Sequence, residues 1–150
     1  MDPSPSQPIF AGEFRHALDA KNRVTIPARW RGGEVDEFFA VPNPENGCLM
    51  VMPTAVAHEV AARAKSDPRF SAQEVQRFIR QFYSKAQHVT TDKQGRIILP
   101  EEHCRQLGLK GEVILVGSHS RFEVWSPGAW QKITEEDAPT FHHMLGVLGI

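Results

Sequence analysis

The sequence contains one short pattern twice, an aspartate followed four residues later by an arginine, in residues 19–23 (DAKNR) and 92–96 (DKQGR). An arginine guanidinium can bind guanine or phosphate through paired hydrogen bonds, and a nearby carboxylate can hold it in position. Aspartate also favours the first position of a β-turn, because its carboxylate accepts the backbone N–H two residues later. The two patterns therefore predict two turns that each present an arginine for binding.

The surroundings of the two patterns repeat at a constant offset of 73 residues (92 − 19 = 73). Equivalent positions include the pairs Val24/Ile97, Ile26/Leu99, Pro27/Pro100, Leu49/Phe122 and Val51/Val124. A single Asp–Arg pair more often only braces its turn, but two copies at equivalent places favour a repeated binding element. We predict one pseudo-symmetric domain over residues 9–133, made of two repeats at about residues 10–56 and 82–128.

The elements that position the turns are predicted to be β-strands. Gly95 suits the turn position that needs a positive φ, and Asn22 is the next most tolerant residue there. The β-branched residues that follow each turn predict an outgoing strand. Further apolar runs predict strands over residues 38–41, 49–52, 113–116 and 121–125.

Two helices are predicted between the repeats, over residues 54–82, with Thr54 as the cap of the first. Ser71 begins an S-x-x-E capping box that opens the second helix. The second helix carries an apolar stripe at helical spacing, which we expect to be core: Val75, Phe78, Ile79 and Phe82.

A last helix is predicted to open at Ser126, because a proline follows it at the first helical position. Residues 1–8 are rich in proline and serine and predict a disordered tail. Residues 134–150 begin acidic and end apolar, and the pattern assigns them no structure beyond a C-terminal tail.

The composition, with 41% hydrophobic and 23% charged residues, suits one globular domain with a hydrophobic core. The two cysteines, Cys48 and Cys104, lack CxxC spacing and are interpreted as buried free thiols in a reducing compartment. No apolar stretch approaches the roughly 20 residues of a membrane span. Residues 1–8 lack the pattern of a secretory signal, so we expect a cytoplasmic protein.

The formal net charge is −1, yet positive charge concentrates around the two patterns. Residues 15–31 contain five basic residues against one acidic residue, and residues 77–96 contain the same numbers. This distribution predicts a local phosphate-binding surface on a protein that has little overall attraction for polyanions.

Residues 12–29 (GEFRHALDAKNRVTIPAR), 92–100 (DKQGRIILP) and 116–125 (VGSHSRFEVW) resemble the MraZ proteins, as does Phe82-Tyr83. The resemblance covers about residues 9–133 and departs from the family at Asn22, where glycine is usual. It implies an α+β, AbrB-like fold, in which two swapped hairpins from one chain form a β-barrel-like core with flanking helices. It also implies a nucleoid-associated bacterial transcriptional regulator that assembles into homo-oligomeric rings. Such a regulator binds double-stranded DNA at short direct repeats upstream of the division and cell-wall gene cluster, usually including its own gene.

With this resemblance, the two pattern arginines, Arg23 and Arg96, are expected to contact guanine in the major groove. Asp19 and Asp92 are expected to brace the turns. The remaining basic residues near the turns are expected to hold phosphates: Arg15, Lys21, Arg29, Lys93 and, as a further candidate, Arg31. Three of them, Arg15, Arg29 and Arg31, have no basic counterpart in the second repeat, so the first turn is expected to dominate.

Other classes of function fit the sequence less well. An assembly or interaction protein would not require basic residues clustered at both turns, and an antitoxin of the same fold usually carries one copy of the repeat per chain. For an enzyme, the seven histidines show no partner at catalytic spacing, and no phosphate-binding glycine loop is present. His103 and Cys104 lack the ligand spacing of structural zinc sites. We therefore expect no cofactor, metal, small-molecule substrate or membrane partner.

Overall fold

The computed structural model describes residues 9–150, so the tail predicted over residues 1–8 lies outside the described residues. The described part contains strands β1 (Glu13–Ala17), β2 (Arg23–Thr25), β3 (Glu37–Asn43), β4 (Cys48–Pro53), β5 (Gln87–Thr90), β6 (Arg96–Ile98), β7 (Glu112–Ser118) and β8 (Arg121–Trp125). It also contains a 3-10 helix (Ala28–Trp30) and the α-helices α1 (Thr54–Ser66), α2 (Ala72–Lys85), α3 (Glu101–Leu107) and α4 (Pro127–Leu148). The predicted α+β class is confirmed.

The strands exchange partners between the two repeats. Six of them form one antiparallel sheet in the order β1-β7-β8-β4-β3-β5, and β2 pairs with β6 in a separate two-stranded sheet. The first strand of each repeat thus pairs with the third strand of the other, β1 with β7 and β5 with β3. This exchange is the swapped arrangement of the AbrB-like fold.

The sequence offset reappears in space as an approximate two-fold axis. At the centre of the β4–β8 ladder Met50 lies opposite Glu123, and at the centre of the β2–β6 ladder Val24 lies opposite Ile97. Both pairs are 73 residues apart (123 − 50 = 73 and 97 − 24 = 73). Residues that are equivalent in sequence therefore meet each other on the axis.

The main core lies between the six-stranded sheet and the β2–β6 pair. Val24 and Ile97 face this core and are 1% and 0% exposed, and burying each stabilises the fold by about 1.5–3 kcal/mol. Trp30 packs against Phe10 and Phe122 with ring centroids 5.7 and 5.1 Å away. The short strands that carry the turns are thereby fixed to the centre of the domain.

Helices cover the opposite face of the six-stranded sheet. Val41 of β3 and Met52 of β4 pack with Ala57 of α1, while Ile114 of β7 and Trp125 of β8 pack with the first half of α4. The helices α1 and α4 begin at equivalent positions (127 − 54 = 73). The repeat therefore extends from the turns into the helices.

The predicted helices need three corrections. Pro53, not Thr54, is the N-cap of α1, and no side chain caps that end, because Thr54 is already helical. In the α2 stripe Val75 is buried but Phe78 is 45% exposed, since this part of the stripe borders an open groove. The third correction is that α4 continues without a break through residues 134–148. The S-x-x-E capping box is confirmed.

Candidate nucleic-acid interface

The first turn is held together by one carboxylate and by backbone hydrogen bonds. One Asp19 oxygen accepts the backbone N–H groups of Lys21 and Arg23 at 2.9 and 2.8 Å. The other oxygen accepts a hydrogen bond from Nε of Arg23 at 2.7 Å. Asn22 adopts φ +60° and donates its backbone N–H to the carbonyl oxygen of Asp19. The turn chemistry predicted from the sequence is therefore present.

The second turn repeats this arrangement bond for bond. One Asp92 oxygen accepts the backbone N–H groups of Gln94 and Arg96 at 2.9 Å each, and the other accepts Nε of Arg96 at 2.9 Å. Gly95 adopts φ +75° at the position equivalent to Asn22. In each turn the arginine side chain is therefore held through its Nε.

Hydrogen bonding also lowers the pKa values of the two bracing carboxyls. The backbone N–H of Arg23 is the largest cause that holds the pKa of Asp19 below its usual value of 3.8, and that of Arg96 does the same for the pKa of Asp92. Both aspartates are therefore ionised at neutral pH and can hold the positively charged arginines.

The two turns are joined to each other by reciprocal backbone hydrogen bonds. The N–H of Ile26 donates to the carbonyl of Gly95 at 2.9 Å, and the N–H of Leu99 donates to the carbonyl of Asn22 at 2.8 Å. Each turn is therefore anchored to the strand that leaves the other turn. This cross-connection makes the two turns one rigid surface.

The register of β2 and β6 places both arginines on the same outward face. Val24 and Ile97 point into the core, so their neighbours Arg23 and Arg96 point outward, because side chains alternate along a strand. The two arginines are diagonal neighbours across the ladder, a relation that places Cα atoms about 7–8 Å apart. The structure thus brings together the two residues predicted to read bases.

The outward face also contains two residues that the sequence analysis did not select. Thr25 lies opposite Arg96, and Ile98 lies opposite Arg23, with 57% of Ile98 exposed. Ile98 therefore adds an exposed apolar side chain to a face that otherwise carries two arginines and a threonine. Strand alternation from Val24 and Ile97 could have identified both positions.

Arg31 connects the two repeats at the second turn. A Cβ added at Gly95 would clash with the Arg31 guanidinium, so Arg31 lies directly against this turn and would have to move for any larger residue. The Nε atom of Arg31 is buried and has no hydrogen-bond partner among the described residues. Arg31 belongs to the first repeat in sequence, but it serves the turn of the second.

The other predicted phosphate contacts occupy different environments. Lys21 and Lys93 are exposed on the two turns, and Arg29 is exposed on the 3-10 helix. Arg15 is exposed on β1 but forms an ion pair with Glu112 of β7 at 2.6 Å. An exposed pair of this kind contributes little stability, so Arg15 can exchange its carboxylate for a phosphate.

The two cysteines are both buried free thiols. Burial raises the pKa of Cys48 to about 12 and also raises that of Cys104, so both thiols stay protonated. Within residues 9–150 no three His, Cys, Asp or Glu side chains are grouped as a metal site. No helix in the same range is long and apolar enough to cross a membrane.

The chain is similar to known proteins over almost its whole length. The sequence profile of the MraZ protein family, whose description also likens the family to antitoxins, matches residues 82–144. A transcriptional regulator MraZ from Desulforamulus reducens is 36% identical over 136 residues, which cover 91% of this chain and 94% of that protein. A transcriptional regulator MraZ from Acetivibrio thermocellus is 32% identical over 145 residues, covering 95% and 100%. The chain belongs to the MraZ family.

This MraZ family member is therefore a transcriptional regulator and not an enzyme. A further relative, the transcriptional regulator MraZ from Carboxydothermus hydrogenoformans, is 38% identical over 122 residues, which cover 81% of this chain and 84% of that protein. The family profile matches only the part that begins in α2 and contains the second turn, whereas the relatives extend across both repeats. The whole-length matches thus cover both turns of this chain.

Proposed function

We propose that this MraZ family member regulates transcription by binding double-stranded DNA through its two turns. The observation that carries the proposal is the pair Arg23 and Arg96 on one outward strand face, each held through Nε by its own aspartate. Among residues 9–150, the terminal nitrogens of both arginines form no hydrogen bond or ion pair with another side chain. Those nitrogens match the O6 and N7 acceptors of guanine and the oxygens of phosphate.

The shape of the surface supports binding in the major groove. That groove is about 12 Å wide and admits a two-stranded β-ribbon, the element formed by β2 and β6. In this position the exposed Ile98 would contact the methyl group of a thymine. The neighbouring Thr25 hydroxyl would form a hydrogen bond with either a donor or an acceptor on a base edge. The side chains between the two arginines thus add sequence discrimination that a purely ionic surface lacks.

Backbone phosphates would be held at the margins of the ribbon. Lys21 and Lys93 extend from the turns, and Arg29 and Arg15 lie on the flanking elements. Because the net charge is −1, non-specific attraction is weak and these local contacts set the position on the duplex.

A single chain supplies few contacts, so we propose that several copies act together in a ring on short direct repeats. The resemblance to the MraZ family supports this assembly and a promoter target upstream of the division and cell-wall gene cluster, including its own gene. Linking several binding surfaces raises affinity through effective concentration. Such a regulator works in the cytoplasm in association with the nucleoid.

The decisive experiment is a footprint and a mobility-shift titration on the DNA upstream of the protein's own gene. Arg23→Ala or Arg96→Ala should weaken specific binding by about 1–3 kcal/mol per contact, roughly 5- to 150-fold. Arg69→Ala is a matched control, because Arg69 forms the same kind of ion pair with Asp67 at 2.6 Å but lies between α1 and α2. Unchanged binding by both turn variants would favour an interaction protein instead.

A further inference from the structure

The second half of α4 presents an apolar stripe that belongs to no hydrophobic cluster of residues 9–150. Phe141, Met144, Leu145 and Leu148 follow the i, i+3, i+4, i+7 spacing of one helix face. Phe141, Met144 and Leu148 are 59%, 50% and 63% exposed. Exposed apolar residues grouped on one face mark an interaction surface.

The two repeats explain why this stripe is left uncovered. The last residue of α1, Ser66, is equivalent to Pro139 of α4 (139 − 66 = 73). After Ser66 the chain turns back and α2 packs beside α1, whereas after Pro139 helix α4 simply continues. The segment 140–148 therefore has no counterpart in the first repeat and no second helix beside it.

The stripe lies in the part of α4 that follows Pro139. Pro139 lacks the N–H that would bond the carbonyl of Glu135, so one backbone hydrogen bond of the helix is missing where the stripe begins. Phe141 follows Trp130 by 11 residues, about three helical turns, so it lies on the side of α4 that packs on the sheet. The stripe thus continues a packing face beyond the edge of its own domain.

A complementary surface exists elsewhere on the same chain. A groove of about 440 Å³ lies between β4, α1 and α2, and its apolar walls are formed by Met50, Met52, Val56, Val60, Phe78 and Phe82. It is open, and 45% of Phe78 is exposed in it. The groove and the stripe are both apolar and both unpartnered.

The charges at the two surfaces are also complementary. Two basic residues and one acidic residue line the groove, namely Arg63, Arg121 and Asp67. Asp67 and Arg121 form ion pairs with Arg69 and Glu123, whereas Arg63 has no ion-pair partner among the described residues. Asp137 precedes Phe141 by one helical turn and so lies at the start of the stripe. A basic side chain at one surface and an acidic one at the other favour this pairing over stripe against stripe.

We propose that the α4 stripe of one subunit docks into the α1–α2 groove of a second copy of this chain. The inference rests on the proposed assembly and names the surfaces that form it. Because stripe and groove are different surfaces, each subunit can use both, and the contact repeats from copy to copy. A contact of this head-to-tail kind closes into a ring when its rotation permits.

The test measures molar mass by light scattering for wild type, for Met144→Glu in the stripe and for Phe78→Glu in the groove. His143→Glu and Gln76→Glu are matched controls, because each lies about 200° around its helix from the stripe residue Phe141 or the groove residue Phe78. Each surface variant alone should be monomeric, and both controls should keep the wild-type mass. Leu148→Glu, near the end of α4, provides a second stripe variant should Met144→Glu not fold.

Mixing the two monomeric variants gives the sharpest result. One intact groove and one intact stripe remain between them, so an equimolar mixture should form a species of twice the monomer mass. A mixture that stays monomeric, or surface variants with the wild-type mass, would overturn the stripe-to-groove contact.

A DNA-binding measurement on the same variants tests this inference separately from the proposed function. Monomeric Met144→Glu should bind a one-box fragment of the upstream DNA as wild type does, but should lose the gain that wild type shows on several boxes. A wild-type protein that is itself monomeric would overturn the proposed ring and the docking contact together. Loss of one-box binding by this variant would contradict the separation of docking from the turns, and unchanged gain on several boxes would contradict docking.

Discussion

The two turns share one backbone but have different neighbours. Their equivalent aspartate hydrogen bonds differ by at most 0.2 Å (2.9 − 2.7). The strand exchange nevertheless places Arg31 of the first repeat on the second turn, whereas the first turn adjoins Leu99, which leads into the acidic start of α3. The two turns therefore have the same backbone but different electrostatic surroundings, because residues of the other repeat lie beside each turn.

This difference changes the expectation drawn from the sequence. Proximity along the chain places Arg31 with the first turn, whereas in the structure its guanidinium lies against Gly95 of the second turn. The segment from Ile26 to Arg31, which includes Arg29, begins with a hydrogen bond to Gly95 and ends against the same residue. We therefore expect the second turn, with Arg96, to contribute more to DNA binding than the first.

The largest expected effect is the loss of DNA-binding free energy when the arginine of either turn is replaced by alanine. Arg96→Ala should weaken binding to the upstream DNA by about 2–3 kcal/mol and Arg23→Ala by about 1–2 kcal/mol, because Arg96 acts in the more basic surroundings. Mobility-shift titrations at one fixed salt concentration measure both. A larger loss for Arg23→Ala would restore the ranking based on chain proximity.

A second comparison concerns how Asn22 and Gly95, the two turn residues with positive φ, affect the free energy of unfolding. Gly95→Ala should lower the free energy of unfolding by about 1–2 kcal/mol from backbone conformation alone, with a further loss from displacing Arg31. Asn22→Gly should change it by less than about 0.5 kcal/mol, because φ +60° suits both residues. Urea denaturation measures both values.

The steric part of the Gly95 effect can be isolated. In the double variant Gly95→Ala and Arg31→Ala, the loss should shrink toward the backbone value, because the guanidinium no longer occupies the space that Cβ needs. Strict additivity of the two single substitutions would contradict the contact between Arg31 and the second turn.

A smaller effect should appear in the salt dependence of binding. Affinity should fall as salt rises, and Arg31→Ala should reduce the log–log slope by about one per engaged turn, since one phosphate contact is lost. Cys104→Ala changes the equivalent position of the other repeat, which is buried, and should leave the slope unchanged. Equal slopes for wild type and Arg31→Ala would place Arg31 outside the phosphate contacts.

The smallest expected difference between the two turns is in how much each aspartate contributes to stability at acid pH. Asp19 and Asp92 both have a pKa below 3.8, so each stabilises the folded protein above that pH, and the contribution is lost as the pH falls from 3.8 through the lower folded-state pKa. Asp19→Asn and Asp92→Asn should therefore flatten the acid limb of the stability curve equally. Denaturation midpoints between about pH 2 and 6 measure this, and clearly unequal limbs would show that the two carboxylates are held differently.

Local chemistry made much of the fold predictable, while long-range partners were not. The requirements for Asp19, Asp92 and Gly95 follow from turn geometry, and the strands that follow them are confirmed. The partner of the first strand in each repeat lies in the other repeat, so proximity along the chain does not show that Arg31 lies against the second turn. The apolar stripe of α4 has helical spacing in the sequence, but the acidic residues and Pro139 that precede it do not favour a helix. The sequence therefore does not predict that α4 continues through this segment.

The strand exchange has a consequence for how the chain is made. Arg15 of β1 pairs opposite Ile114 of β7, 99 residues later (114 − 15 = 99). Ribosomes add about 5–20 residues per second, so β1 waits roughly 5–20 s for its partner during synthesis. The first turn therefore leaves the ribosome well before Leu99, the residue that anchors it. The chain cannot become competent to regulate until nearly all of it has been translated.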